Sequence, residues 1–131
     1  MISIIICTYN REAYIGKVLE ALSNESYTDF ETIVVDNNST DSTPLVIKDF
    51  QSAHPEFPLR ILSERKQGLS WARNCGIRAA EGDLLVFLDD DAIPEEGYVG
   101  RLAENMKAHP QAGAFGGRII PTFESGKAPK W

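Results

Sequence analysis

Leu84-Leu85-Val86-Phe87-Leu88-Asp89-Asp90-Asp91-Ala92-Ile93-Pro94 is the stretch that decides the fold. Five apolar residues run straight into three carboxylates and a proline soon closes the segment, which reads as a buried strand ending in concentrated negative charge. Adjacent carboxylates repel one another, so such a cluster at the end of a core strand calls for a positive occupant. Asp89 and Asp91 are spaced as D-x-D, and oxygen-only ligands suit a hard divalent ion, Mg2+ or Mn2+, that keeps open positions for the oxygens of a phosphorylated ligand. The competing reading is a solvated acidic turn with helix-capping duty.

Working outward, Ile2 to Cys7 is another near-continuous β-branched run, as expected for a parallel strand covered on both faces, and it ends at Thr8-Tyr9-Asn10. From Arg11 onward Tyr14, Ile15, Val18, Leu19 and Leu22 recur at helical spacing. Thr32 to Val35 is a second strand, ending in Asp36-Asn37-Asn38, with Ser39 or Thr40 as cap for a helix carrying Leu45, Val46, Ile47 and Phe50. Leu59 to Leu62 is a third strand. Gln67-Gly68 opens a helix whose packed face is Trp71, Ala72, Cys75, Ala79 and Ala80, and Gly82 ends it. Beyond Pro94, Tyr98 to Ala108 reads as a helix, Ala112 to Ile120 as a small-residue strand, and Pro121 to Trp131 shows no periodicity. His54 and His109 stand beside prolines and are expected at the surface.

Strands alternating with helices imply a Rossmann-like α/β fold, a mostly parallel sheet with helices on both faces, for which the expected strand order is 3-2-1-4. Ligands of such sheets sit beyond the carboxyl ends of the strands, where the order reverses. Three strands here end in polar clusters, and all three would converge on one crevice.

The chain has 131 residues and a net charge of -6, which sets it against a nucleic-acid partner held through phosphates. It is short for an enzyme of two substrates, so a truncated domain is expected. No apolar run approaches a membrane span and no basic leader precedes the first strand, which suggests a cytoplasmic protein. Cys7 and Cys75 lack C-x-x-C spacing and read as buried free thiols.

Four segments together resemble glycosyltransferase family 2, the nucleotide-sugar-dependent inverting transferases of GT-A fold. They are Ile-Ile-Ile-Cys-Thr-Tyr-Asn-Arg (4–11), Ile-Val-Val-Asp-Asn-Asn-Ser-Thr-Asp (33–41), Gly-Leu-Ser-Trp-Ala-Arg-Asn-Cys-Gly (68–76) and Val-Phe-Leu-Asp-Asp-Asp (86–91). The resemblance implies that Thr8, Tyr9 and Asn10 line a base and ribose pocket and that Asp36 accepts a hydrogen bond from the base, with Asn38 beside it. It implies further that the segment from Gly68 to Asn74 lies near the diphosphate with Arg73 as charge partner, that Asp89 stands toward the ribose, and that Asp91, with Asp89, holds Mn2+ or Mg2+; Asp90 belongs to the cluster with no settled role. The donor implied is a UDP-sugar, and the acceptor a saccharide or lipid-linked saccharide used in polysaccharide or glycoconjugate assembly. The family often works at the membrane surface, so the full-length protein would associate peripherally.

Plainer readings stand beside these. Tyr9 can pack under a loop, Asp36 and Asn38 can form a turn, Arg73 can pair with Glu81 or Asp83, and Trp71 reads as core. Gly113, Gly116 and Gly117 suit either a close backbone approach on the acceptor side or a bulged strand. A general base is expected beyond Trp131; Glu95, Glu96, Glu104 and Glu124 match no such position. The rival functions are a nucleotide-binding module without transfer and a phosphatase of the haloacid dehalogenase type, which also uses D-x-D after an apolar strand but needs later motifs that so short a remainder does not hold.

Overall fold

Ile2–Thr8 forms the central strand, β1, of a computed structural model that describes residues 1–123 and 126. Side chains alternate across a strand, so Ile2, Ile4 and Ile6 face one side of the sheet and Ser3, Ile5 and Cys7 the other. β2 (Phe30–Asp36) and β4 (Leu84–Phe87) flank β1, and β3 (Leu59–Ser63) lies outside β2. All pairings are parallel, in the expected order β3-β2-β1-β4, with Ile4 opposite both Thr32 and Val86.

The helices divide between the faces. On the Ile2-Ile4-Ile6 side lie α1 (Ile15–Ser23), α2 (Thr43–Ala53) and α4 (Tyr98–Ala108), through Ile15, Val18, Leu19, Leu22, Ile47, Phe50, Val99 and Ala103. The opposite side carries α3 (Leu69–Ala79), whose Ala72 packs with Ile33 and Val35. Each fully buried Ile or Leu in these layers contributes roughly 1.5–3 kcal/mol relative to exposure. Both faces of β1 and β2 are thus covered, and α3 has only small residues against the sheet, which brings its start close to the ends of the strands.

At the amino ends of the strands Glu31 is the hub of a buried polar cluster. It accepts hydrogen bonds from the Ser3 hydroxyl (2.7 Å), the Glu81 amide (2.8 Å) and Arg60 Nη1 (2.9 Å). Gly82 follows, and a side chain there would meet Ser3 N at 2.7 Å and the Met1 carbonyl at 2.8 Å.

Several expectations are corrected. The strand before the aspartates is an edge: only Val86 is buried, and Leu85 and Phe87 are exposed because β4 pairs with β1 alone among the described residues. Ala112 to Ile120 forms no strand, since it pairs with none of the described residues; its residues are exposed, and Gly113, Gly116 and Gly117 have open space around them. Trp71 lies on the outer side of α3, 42% exposed, with the Lys66 ammonium 3.4 Å from its ring centroid, so its indole serves a cation rather than the core. Leu45 is likewise exposed. The start of α2 is closed by Asp41, whose Oδ1 accepts from the Thr43 amide at 2.9 Å, and not by Ser39 or Thr40. His54 is half-buried, stacked on Phe50 with ring centroids 4.3 Å apart, while His109 is exposed as expected. Glu124 and most of the tail lie outside the described residues.

Candidate functional site

The carboxyl ends of β1 and β2, the start of α3 and the aspartate turn enclose a crevice of about 300 Å³. Thr8, Tyr9 and Arg11 come from the end of β1, Asn37 from the end of β2, Gln67 to Leu69 from the entry to α3, and Asp90 from the turn. β1 stands between β2 and β4 here, which makes this the place where the strand order reverses.

The β1–α1 loop is fixed by its neighbour. Asn10 Oδ1 accepts from the Thr40 amide at 2.8 Å and the Asp41 amide at 3.3 Å, and the Asn10 amide donates to Ser39 Oγ at 3.0 Å. The Arg11 amide donates to Thr43 Oγ1 at 2.8 Å, and Glu12 Oε2 accepts from the Ser42 amide at 2.8 Å. Asn10 takes a positive φ of 52°, a conformation that asparagine tolerates better than most residues. Its side chain is spent on these contacts, so Asn10 braces the loop and does not line the crevice.

Thr8 is 2% exposed, and its Oγ1 is buried with no hydrogen-bond partner. Asp90 stands close by, and its side chain is 14% exposed with Oδ1 3.5 Å from Arg11 Nε. Burial pushes the Asp90 carboxyl above its ordinary range, against the pull of the Thr8 hydroxyl and the Arg11 guanidinium. The Thr8 hydroxyl is therefore near enough to favour the charge of Asp90 while completing no hydrogen bond to it in this geometry. An unpaired buried hydroxyl costs about 1–3 kcal/mol, so this crevice holds unused hydrogen-bonding capacity.

The remaining candidates divide. Tyr9 is 47% exposed at the mouth of the crevice, so it is not packed beneath a loop. Gly68 lines the wall. Asp36 and Asn38 stay out of the crevice: Asp36 Oδ1 accepts from the Ser39 amide at 3.2 Å and Asn38 turns the chain at φ 68°, the turn that their residue types allow. Arg73 and Asp89 share an adjoining smaller crevice with Phe87, and the guanidinium lies 5.6 Å from the Phe87 ring. Glu81 and Asp83 are engaged elsewhere, with Arg60 and the terminal ammonium, so Arg73 has no ion pair among the described residues. Asp89 and Asp91 are exposed at either side of Asp90, in a turn closed by the Ala92 amide donating to the Asp89 carbonyl at 3.1 Å. No three His, Cys, Asp or Glu side chains converge on one point among the described residues. Two exposed carboxylates still fit an ion of the magnesium type, which takes one or two from a protein and the rest of its oxygens from phosphates and water.

Arg11 and Gln67 also line the crevice without having been assigned a role, whereas Asn37 belongs to the strand-end cluster expected there and Leu69 to the segment expected near the diphosphate. Arg11 carried a signal, as a cation directly after a strand-end cluster.

Comparisons with known proteins bear on the family and the fold. The model of glycosyl transferase family 2 matches residues 3–130. A dolichyl N-acetyl-alpha-D-glucosaminyl phosphate 3-beta-D-2,3-diacetamido-2,3-dideoxy-beta-D-glucuronosyltransferase from Methanococcus voltae is 36% identical over 130 residues, 95% of this chain and 40% of that protein. Among solved structures, a mannosyltransferase from Pyrobaculum calidifontis in complex with GDP-Man and Mn2+ superposes with a TM-score of 0.76 at 28% identity, covering 80% of this chain and 32% of that one. TarS 1-349 from S. aureus in complex with UDP gives 0.76 at 26% identity, covering 94% and 39%. The chain thus spans less than half the length of these relatives. With the family model covering nearly its whole length, and with a GT-A sheet beneath the match, this chain belongs to glycosyl transferase family 2.

Proposed function

We propose that residues 1–131 are the donor-binding part of a glycosyltransferase that takes a sugar from a nucleotide diphosphate, a UDP-sugar, and passes it with inversion to a saccharide or lipid-linked saccharide. The observation that carries this reading is the buried, unpaired Thr8 hydroxyl at the floor of a crevice where the strand order reverses. A ligand rich in hydrogen-bonding groups gives that hydroxyl a partner, and a nucleoside is such a ligand. Tyr9 at the mouth offers an aromatic edge to the base or ribose. Asp36 and Asn38 border the crevice through the turn they form and would meet the base only if that turn opens, while Asp89 faces the ribose. Arg73, beside Phe87 and Asp89 and with no ion pair among the described residues, would meet a phosphate oxygen.

Asp91, with Asp89, would hold Mn2+ or Mg2+, which when bound supplies positive charge against the departing nucleoside diphosphate. Inversion requires a base to take the proton from the attacking hydroxyl, and none of the described residues is assigned to that task. The acceptor class follows the dolichyl-linked substrate in the name of the M. voltae relative; a cytoplasmic reaction, with peripheral association of the full-length protein at a membrane, completes the proposal. Among the described residues, no helix is long and apolar enough to cross one.

Calorimetric titration of the chain with UDP, with and without Mn2+ and with GDP and ADP as controls, tests the site. Metal-dependent binding selective for UDP, and lost in Asp91→Ala, is the expected result; the absence of nucleotide binding, or binding indifferent to Asp91→Ala, overturns the assignment. Because the chain spans less than half of its relatives, a second reading is a nucleotide-binding module without transfer. Sugar transfer measured on this chain excludes it.

A further inference from the structure

We infer that Asn37 is a positioning residue that sets the far wall of the crevice, and with it the width open to a nucleotide base. Asn37 is 4% exposed and its side-chain amide is fully used. Nδ2 donates to the carbonyls of Glu64 (2.8 Å) and Lys66 (2.9 Å), and Oδ1 accepts from the Gly68 amide (2.8 Å). Its backbone amide donates to the Thr8 carbonyl at 2.9 Å. One residue therefore joins the floor of the crevice at Thr8 to the loop 64–68 that leads into α3.

An amide suits this place because it offers two donors and an acceptor on one planar group, matched to two carbonyls and one N–H. Aspartate keeps the acceptor and loses both donors; alanine loses all three. The loop needs the anchor, since its carbonyls turn inward where water does not reach Asn37, and Gly68 sits at φ 137°, ψ 136°, which a side chain rarely adopts. Without the amide, Gln67, Gly68 and Leu69 no longer have a fixed distance from Thr8.

The inference rests on the nucleotide reading for its functional half and on local structure for the rest, so the test has separate arms. In Asn37→Ala, the Gly68 amide should exchange with solvent at least tenfold faster than in the wild type, while the Ile5 amide of β1 keeps its protection. In Asn37→Asp, Gly68 should stay protected, whereas trypsin should gain access to Arg65 and Lys66. Both variants should bind UDP at least tenfold more weakly in calorimetry, with a smaller preference over GDP. Wild-type exchange at Gly68 in Asn37→Ala overturns the anchor. A loosened loop with unchanged UDP affinity overturns its role in the site. If the wild type binds no nucleotide, the functional reading and Asn37's role in selecting a base both fail, and the exchange and trypsin arms still decide the anchor.

Discussion

Gly76 lies directly against Ile5: a Cβ built on Gly76 would fall 2.5 Å from Ile5 Cγ2, and 3.4 Å from Val35 Cγ2. Ile5 is fully buried and branched at Cβ, so its methyl has no easy retreat. This contact sets how closely α3 approaches β1, and α3 carries one wall of the crevice.

Gly76→Ala should therefore destabilise the chain. Alanine gains about 1 kcal/mol of helix propensity over glycine, but overpacking a closed core costs about 1–3 kcal/mol, and the short distance favours the larger cost. Urea unfolding measures the net effect. In an Ile5→Ala background, itself destabilised by about 2–5 kcal/mol, Gly76→Ala should cost less than in the wild type, giving a coupling between the two sites. Equal or greater stability of Gly76→Ala would show that the helix shifts freely.

Thr8→Val should separate binding from stability. The near-isosteric change removes a buried hydroxyl that completes no hydrogen bond yet helps hold the charge of Asp90, so the melting temperature should change little, while UDP affinity falls several-fold or more. Thr32, whose Oγ1 is also buried and unpaired but lies in the sheet away from the crevice, is the control. Thr32→Val should hold or raise the melting temperature and leave UDP binding unchanged. Equal UDP affinity in Thr8→Val and the wild type would remove Thr8 from the site.

Residue patterns along the chain carried the sheet, its order and the end at which the crevice opens, because these follow from local periodicity and from crossover handedness. They carried the contents of the crevice less well. Asn10 and Asn37 are both amides after strands, yet one is spent bracing Thr40 and the other holds a loop 27 to 31 residues away. No local spacing distinguishes such partners, since they meet only through the sheet. Trp71 and Phe87 misled for a related reason: apolar character predicts burial only where a second layer exists, and the outer side of α3 and the edge of β4 have none among the described residues.

The Cys7 thiol faces the crevice but should be a poor nucleophile. Burial raises it from 9.0 to about 11, although Arg73 pulls the other way. Near pH 8 that leaves about a hundredfold less thiolate than an unperturbed thiol, and alkylation proceeds through the thiolate. Iodoacetamide labelling followed by peptide mapping, native against urea-unfolded, should show Cys7 modified far more slowly in the native chain. Equal rates would mean that the end of β1 is open to solvent.

Glu31 should dominate the acid limb of stability. Burial pushes its carboxyl up, but the bonds from Ser3, the Glu81 amide and Arg60 together outweigh burial and hold it below the usual carboxylate range. A carboxyl lowered on folding contributes stability that is complete above its unfolded value, here 4.5, and disappears as pH falls through the lower folded value. The Ser3 and Glu81 bonds carry most of this, since the Glu31 side chain is 9% exposed while that of Arg60 is 41% exposed and screened by solvent. Glu31→Gln keeps the size and turns one acceptor into a donor facing Arg60 or Ser3. At pH 7 it should lose about 1–3 kcal/mol relative to the wild type, the cost of leaving a buried partner unsatisfied. Below the folded value of Glu31 the wild type has lost its charge as well, so the gap should narrow as pH is lowered from 5 toward 3. Thermal unfolding of both proteins across that range makes the comparison, and a gap constant with pH would mean that the cluster holds through shape and not through the ionised carboxylate.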